Sequence, residues 1–212
     1  MDVCRDILLR GLAALKLELT ETKIQQLLEF IQLIEKWNKA YNLTAIRNRE
    51  DMVSFHLLDS LVIVPFIHGK RVIDVGTGAG LPGIPLAIAQ SDCAFTLLDS
   101  NAKKTRFVQQ AVLELRLRNV AVLHQRVENY RPEIAYDAIV TRAFSNLADM
   151  VQLTGHLLHK DGEFLAMKGK ILEQEMAQVL KKQVTAIPVH VPGVDAERCL
   201  IKITSLTETE VR

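Results

Sequence analysis

The stretch RVIDVGTGAGLPGIPLAI, Arg71 to Ile88, decides how the chain folds. RVIDV is an apolar run of strand length. Gly76, Gly78 and Gly80 follow it, and Pro82 stands where a helix should begin. Glycine permits positive φ and lets a ligand come close to the backbone; proline is favoured at the first helical position. Strand, glycine turn and helix make the opening unit of an α/β sheet that binds its ligand at the carboxyl ends of the strands. Gly78, Gly80 and Gly83 also satisfy the G-x-G-x-x-G spacing of dinucleotide sites, a match that carries little weight alone.

Downstream, short apolar runs alternate with helical ones. AFTLLD (94–99), NVAVLH (119–124), YDAIVT (136–141) and GEFLAMK (162–168) read as strands. NAKKTRFVQQAVLELRL (101–117) reads as a helix with Phe107, Val108, Ala111, Val112 and Leu115 on one face. Such alternation makes a parallel sheet covered on both faces. The closing runs TAIPVHVPG (185–193) and CLIKITSL (199–206) have no helix between them and read as an antiparallel hairpin at one edge. Upstream, residues 3 to about 64 read as helix. In TETKIQQLLEFIQLIEKWNKAY (20–41), Ile24, Leu27, Leu28, Ile31, Ile34 and Trp37 recur at three- and four-residue steps behind the N-cap candidate Thr20. A second helix spans roughly Glu50 to Val64 and stops at Pro65. The expected fold is a doubly wound α/β domain of seven strands over residues 67–212, behind a helical appendage of residues 1–66.

The 212 residues suffice for one domain with a substantial core. The formal net charge of +1 gives no general pull toward nucleic acid. Cys4, Cys93 and Cys199 lie far apart, which argues against a zinc site and suits a reducing compartment. The start MDVCRDILLRGL lacks the apolar core of a secretory signal, and the longest apolar run, LVIVPFI, is too short to span a bilayer. The expectation is a cytoplasmic monomer without metal.

What the glycine turn holds depends on Asp74, two residues before the first glycine. A carboxylate beside a pyrophosphate costs about 4 kcal/mol per charge pair at about 4 Å and an effective dielectric of about 20. The same carboxylate favours a cation. S-adenosylmethionine has no phosphate and carries an ammonium and a sulfonium, so D-x-G-x-G-x-G after a strand suits it. Asp99 closes the second strand, roughly twenty residues past Gly76, where an acidic side chain receives ribose hydroxyls. Nicotinamide dinucleotide sites use the same device, and a solvated strand-end aspartate is the plain alternative.

WNKAYNLT (Trp37–Thr44), HLLDSL (His56–Leu61), DVGTGAGLPGIPLAI (Asp74–Ile88), LLDSNAKK (Leu97–Lys104), RVEN (Arg126–Asn129), TRAF (Thr141–Phe144) and MKG (Met167–Gly169) together resemble the RsmG (GidB) family along nearly the whole chain. The resemblance implies a Rossmann-like class I S-adenosylmethionine-dependent methyltransferase. Its implied reaction is methyl transfer to guanine N7 in the 530 loop of 16S ribosomal RNA. A net charge near zero points to a structured partner rather than bare RNA, the assembling or complete 30S subunit. The resemblance also implies that Gly76 and Leu81 touch the cofactor, and that Val127 and Glu128 meet the adenine. Arg142 matches a family arginine of the cofactor or substrate site. The chain has Ala79 where the family often has proline. It reads AERC (Ala196–Cys199) where the family usually reads G-E-R-H, which keeps Arg198 and leaves open the role of the absent histidine.

Guanine N7 offers a lone pair and no proton, so positioning supplies most of the catalysis and no general base is needed. TRAF stands where exocyclic amino methyltransferases carry Asp/Asn-Pro-Pro-aromatic, and no cysteine is placed there for pyrimidine C5 chemistry. Arg142 is the catalytic candidate, gripping guanine O6 or a phosphate, or lining the methionine end of the cofactor. Phe144 stacks on the base or is ordinary core. Lys168 contacts a phosphate or is a solvated strand end. Lys103, Lys104, Arg106, Arg47 and Arg49 form a basic track or simply solvated faces. His56 and Asp59, three apart on one helix face, read as a structural hydrogen bond. Trp37 reads as core, and WNKAYNLT as the seam between appendage and sheet. Methylation of a small molecule or protein, and an NAD-binding oxidoreductase, remain the competing functions.

Overall fold

A computed structural model describes residues 3–169 apart from 143 and 145, together with residues 175, 179 and 182–205. Seven strands form: β1 (Arg71–Val75), β2 (Ala94–Asp99), β3 (Val120–His124), β4 (Tyr136–Thr141), β5 (Leu158–Lys168), β6 (Lys182–Pro188) and β7 (Cys199–Ser205); of the run expected over 185–193, only the part up to Pro188 is strand. They make one sheet in the order β3-β2-β1-β4-β5-β7-β6. Strands β1 to β5 pair in parallel, and β7 runs antiparallel to both β5 and β6. The closing hairpin is therefore present, with β7 inserted between β5 and β6. Because β7 is reversed, its beginning and not its end lies at the carboxyl edge of the other strands: Cys199 pairs with Lys168 and with Pro188.

Alternation along β1 divides the core. Val72 packs on the face covered by α1 (Val3–Ala14), α2 (Glu21–Tyr41), α5 (Gly83–Ala89) and α6 (Ala102–Glu114), while Ile73 and Val75 pack on the face of α7 (Leu147–Thr154). Leu27, Phe30 and Ile34 of α2 are fully enclosed, each stabilising the fold by about 1.5–3 kcal/mol. Phe30 stacks on Phe107 at 6.4 Å between centroids, and Trp37 meets the same ring at 5.8 Å, so α2 rests directly on α6. The seam after Trp37 is closed by Asn38, whose amide donates to Thr44 O and whose Oδ1 accepts from Thr44 N, both at 3.0 Å. Thr20 caps α2, as its sequence position requires.

The helix expected over 50–64 is not uniform. It begins as α3 (Arg49–Met52), widens into a π-helical segment over Val53–Leu58, and returns to α-helix in α4 (Asp59–Leu61). Pro65 then sits in a short 3₁₀ turn. Widened turns interrupt the 3.6-residue period and recur at functional sites; this one carries Phe55 and His56 and ends at Asp59. Among the described residues no helix is long and apolar enough to cross a membrane.

Candidate functional site

The carboxyl ends of β1 and β4, where the strand order reverses, open onto two adjoining regions. The first is the glycine turn. Gly76, Gly78 and Gly80 have φ of 73, 60 and 80°, a conformation that side chains resist. A methyl group on Gly78 would rest at ordinary contact distance, 3.9 Å, from Gly76 O and Lys104 Nζ, so nothing among the described residues crowds the turn there. Asp99 ends β2 beside it, with Oδ2 accepting from Gly78 N and Oδ1 from Asn101 N, both at 2.8 Å. Val127 is buried and Glu128 exposed on a 3₁₀ turn following β3. Leu81 is buried in the core.

Asp74 lies elsewhere than its sequence position suggested. It is enclosed beneath the turn, not beside whatever the turn holds. Its Oδ2 accepts from Thr77 Oγ1 at 2.6 Å and Gly83 N at 2.9 Å, fastening the turn to the start of α5. Gly83 makes this approach possible, since a Cβ there would fall 2.1 Å from Leu97 Cδ2 and 2.8 Å from Asp74 Oδ2. Oδ1 is buried without a partner. Burial pushes the carboxyl up to about 6 against the pull of the Thr77 and Gly83 donors. Asp74 thus shapes the turn directly and acts on a ligand only through its field.

The second region is a cavity of about 300 Å³ lined by Ile46, Phe55, His56, Asp59, Arg142, Met167, Lys168, Gly169 and Arg198. Its organising group is Asp59. One carboxylate oxygen accepts from Arg142 Nη1 at 2.7 Å and the other from Arg198 Nε at 2.9 Å. Arg142 follows β4, which Thr141 ties to β1 through a 2.8 Å bond to Val75 O; Arg198 immediately precedes the reversed β7. Lys168 is neither a solvated strand end nor an open phosphate contact: its ammonium is ion-paired with Glu175 and its side chain is 11% exposed. Two guanidiniums on one carboxylate leave the cavity with a surplus positive charge. Phe144 packs half-buried against the core on the α7 face and does not line this cavity.

His56 belongs to the same wall. Its Nε2 pairs with Thr44 Oγ1 at 3.1 Å, and its Nδ1 is buried without a partner. The hydrogen bond is structural, but it joins His56 to the seam and not to Asp59. Burial, then the charge of Arg142, lowers the imidazole to about 4. A folded histidine at about 4 against about 6.5 unfolded gives stability that is present above about pH 6.5 and lost as pH falls toward 4. His56→Gln is accordingly expected to lose about 2 kcal/mol less than the native chain between pH 7.5 and 4.5, read from urea unfolding midpoints. Asp74, shifted upward, contributes with the opposite sign over part of that window, and the comparison of the two chains cancels it.

The structure therefore brings Gly76, Gly78, Gly80 and Asp99 together at the turn, and Arg142, Lys168 and Arg198 at the cavity. Asp59, which joins the two arginines, is the residue that sequence reasoning placed in a purely structural role. Its partners lie 83 and 139 positions away, and only the buried acid in HLLDSL hinted that cations must come to it.

A family model described as "rRNA small subunit methyltransferase G" (GidB) matches residues 23–201. The chain is 52% identical over 197 residues to the ribosomal RNA small subunit methyltransferase G of Chromobacterium violaceum, covering 92% of this chain and 94% of that one. It is 48% identical over 204 residues to the protein of the same name from Nitrosococcus oceani, covering 95% of each. The magnesium protoporphyrin IX methyltransferase of Synechocystis, crystallised with bound SAM, superimposes with a TM-score of 0.60 over 83% of this chain and 97% of that one. At 14% identity that likeness speaks for the class I methyltransferase fold alone. Matched over most of its length by the family model and at about half identity by these relatives, the chain belongs to the GidB family of small-subunit ribosomal RNA methyltransferases.

Proposed function

We propose that the protein, acting as a monomer in the cytoplasm, transfers the methyl group of S-adenosylmethionine to N7 of a guanine in the 530 loop of 16S rRNA within the 30S subunit. The observation that carries this reading is a left-handed glycine turn at the end of β1, next to a cavity at the end of the neighbouring β4 that holds two arginines on one carboxylate, in a chain of the GidB family. The turn suits the cofactor. Nothing among the described residues crowds Gly78, Asp99 closes β2 beside it and would receive the ribose, Glu128 is exposed and would accept from the adenine amino group, and the unbalanced Asp74 carboxylate beneath favours a cation above.

When bound, S-adenosylmethionine supplies an electrophilic methyl group on sulfur. The cavity's own residues then have to place one base. About 300 Å³ lies at the small end of ligand sites. Guanine N7 needs no proton removed, and His56, the imidazole of this wall, is buried and held to about 4, occupied with Thr44. Arg142, held from one side by Asp59, has N–H groups remaining for guanine O6, a contact that leaves N7 free. Arg198 is in reach of the adjoining phosphate by the same logic.

The reading is tested with labelled S-adenosylmethionine and three acceptors: small subunits, naked 16S rRNA, and a panel of nucleosides, metabolites and proteins. The expected result is label in small subunits, with borohydride–aniline scission at one guanine of the 530 loop. Label confined to the metabolites or proteins, or scission elsewhere, would overturn it.

A further inference from the structure

A second cavity, of about 430 Å³, lies beside the first and is not used by methyl transfer itself. It is lined by Gly169, Pro188, Val189, His190, Ala196, Glu197, Arg198 and Cys199. Gly169 and Arg198 line both cavities, so these two residues stand between them. We infer that this second cavity receives a nucleotide adjoining the target guanine, its base held against His190 and its position set by Arg198. The inference rests on the proposed RNA substrate.

Topology places the cavity where such a nucleotide would be. Along the sheet order the glycine turn lies over β1 and β2, the first cavity over β4 and β5, and the second over β5, β7 and β6. Cofactor, target base and neighbouring base would thus follow one another along a single edge. From β4 to β7 is two interstrand spacings, about 10 Å, within reach of successive nucleotides splayed out of a loop. The reversal of β7 matters here, because it brings Ala196, Glu197 and Arg198 to this edge, opposite the end of β6 at Pro188.

The chemistry of the lining suits a base. Single-stranded RNA is read by stacking unstacked bases on aromatic rings or guanidinium planes and by hydrogen bonds to their edges. His190 and Pro188 are exposed at the rim, and the Glu197 side chain is exposed beside them. Arg198 commits Nε to Asp59 and Nη1 to Glu197 O at 3.1 Å. That uses two of five guanidinium donors, and the others are available to the two bases or the phosphate between them. Among the described residues, a Cβ at Gly169 would come within 4 Å of Glu197 O only, at 3.8 Å, an ordinary contact distance.

The test uses the native chain and small subunits reconstituted with 16S rRNA carrying one abasic nucleotide on the 5′ or the 3′ side of the target guanine. Base stacking of this kind is worth about tenfold in binding. One of the two abasic substrates should show KM raised about tenfold with kcat little changed. Ala196→Trp, which fills the cavity from an exposed position, should raise KM for intact subunits to that level and leave KM for the abasic subunits unaltered. His190→Ala should do the same more weakly. Equal KM for intact and both abasic substrates, or Ala196→Trp with native KM on intact subunits, would overturn the inference. Failure of the native chain to methylate intact subunits at all would instead sink the proposed function. A melting temperature for each variant shows that the fold is retained.

Discussion

Replacing Arg142 with alanine should lower methyl transfer to small subunits by about a hundredfold while the chain remains folded. Arg142 follows β4 and lines the first cavity; its side chain is 27% exposed and donates to Asp59 at 2.7 Å and to Phe55 O at 3.5 Å. It is close enough to act electrostatically on both His56 and Asp74. In the proposed reaction no proton is moved, so rate depends on where the base sits relative to the methyl group, and a misplacement of about 1 Å costs about a hundredfold. Arg142→Lys keeps the charge and loses the planar fork; it should recover stability and only part of the rate. Cofactor binding, measured separately, should change far less than kcat if Arg142 serves the base. Near-native turnover of Arg142→Ala would remove the residue from the reaction.

Asp59→Ala should have the largest combined effect. The carboxylate is buried and holds two arginines that lie 83 and 139 positions further along the chain. Removing one member of a fully buried ion pair costs about 3–5 kcal/mol. Here both guanidiniums are about a quarter exposed and can turn toward water, so about 2 kcal/mol of stability should be lost. Activity should fall about a hundredfold besides, since neither guanidinium keeps a fixed direction. The two losses are separable. Asp59→Ala combined with Arg198→Met removes the repulsion and should restore most of the stability, by the logic of a double-mutant cycle, yet leave activity low. Denaturant midpoints and initial rates on small subunits, taken together, check this. Recovery of activity along with stability would reduce Asp59 to a packing role.

The fold was largely legible. Seven apolar runs gave seven strands: β1 to β5 are parallel strands, which announce themselves as short continuous stretches, and the two closing runs stand out because no helix separates them. Gly76, Gly78 and Gly80 were legible for a local reason, a turn that side chains cannot follow, and all three adopt positive φ. The burial of Asp74 follows from alternation along β1: it shares the face of Val72, opposite Ile73 and Val75, and so lies under α5. The insertion of β7 between β5 and β6 was not legible, because a hairpin read from its two runs does not say which arm pairs inward. That one fact delivers Arg198 to the edge. The π-helical segment was hidden as well, since six residues cannot reveal a change of period. The bridge from Asp59 to Arg142 and Arg198 is a tertiary event over 83 and 139 positions, and no spacing in a single sequence encodes it.

The remaining question is what the turn at Gly76–Gly80 receives, because the proposed chemistry begins there. Equilibrium dialysis of the purified chain against labelled S-adenosylmethionine, with NADH as competitor, answers it. The structure predicts saturable binding of about one S-adenosylmethionine per chain, untouched by excess NADH and weakened by Asp99→Ala. Displacement of the label by NADH, or no binding of S-adenosylmethionine, would contradict it.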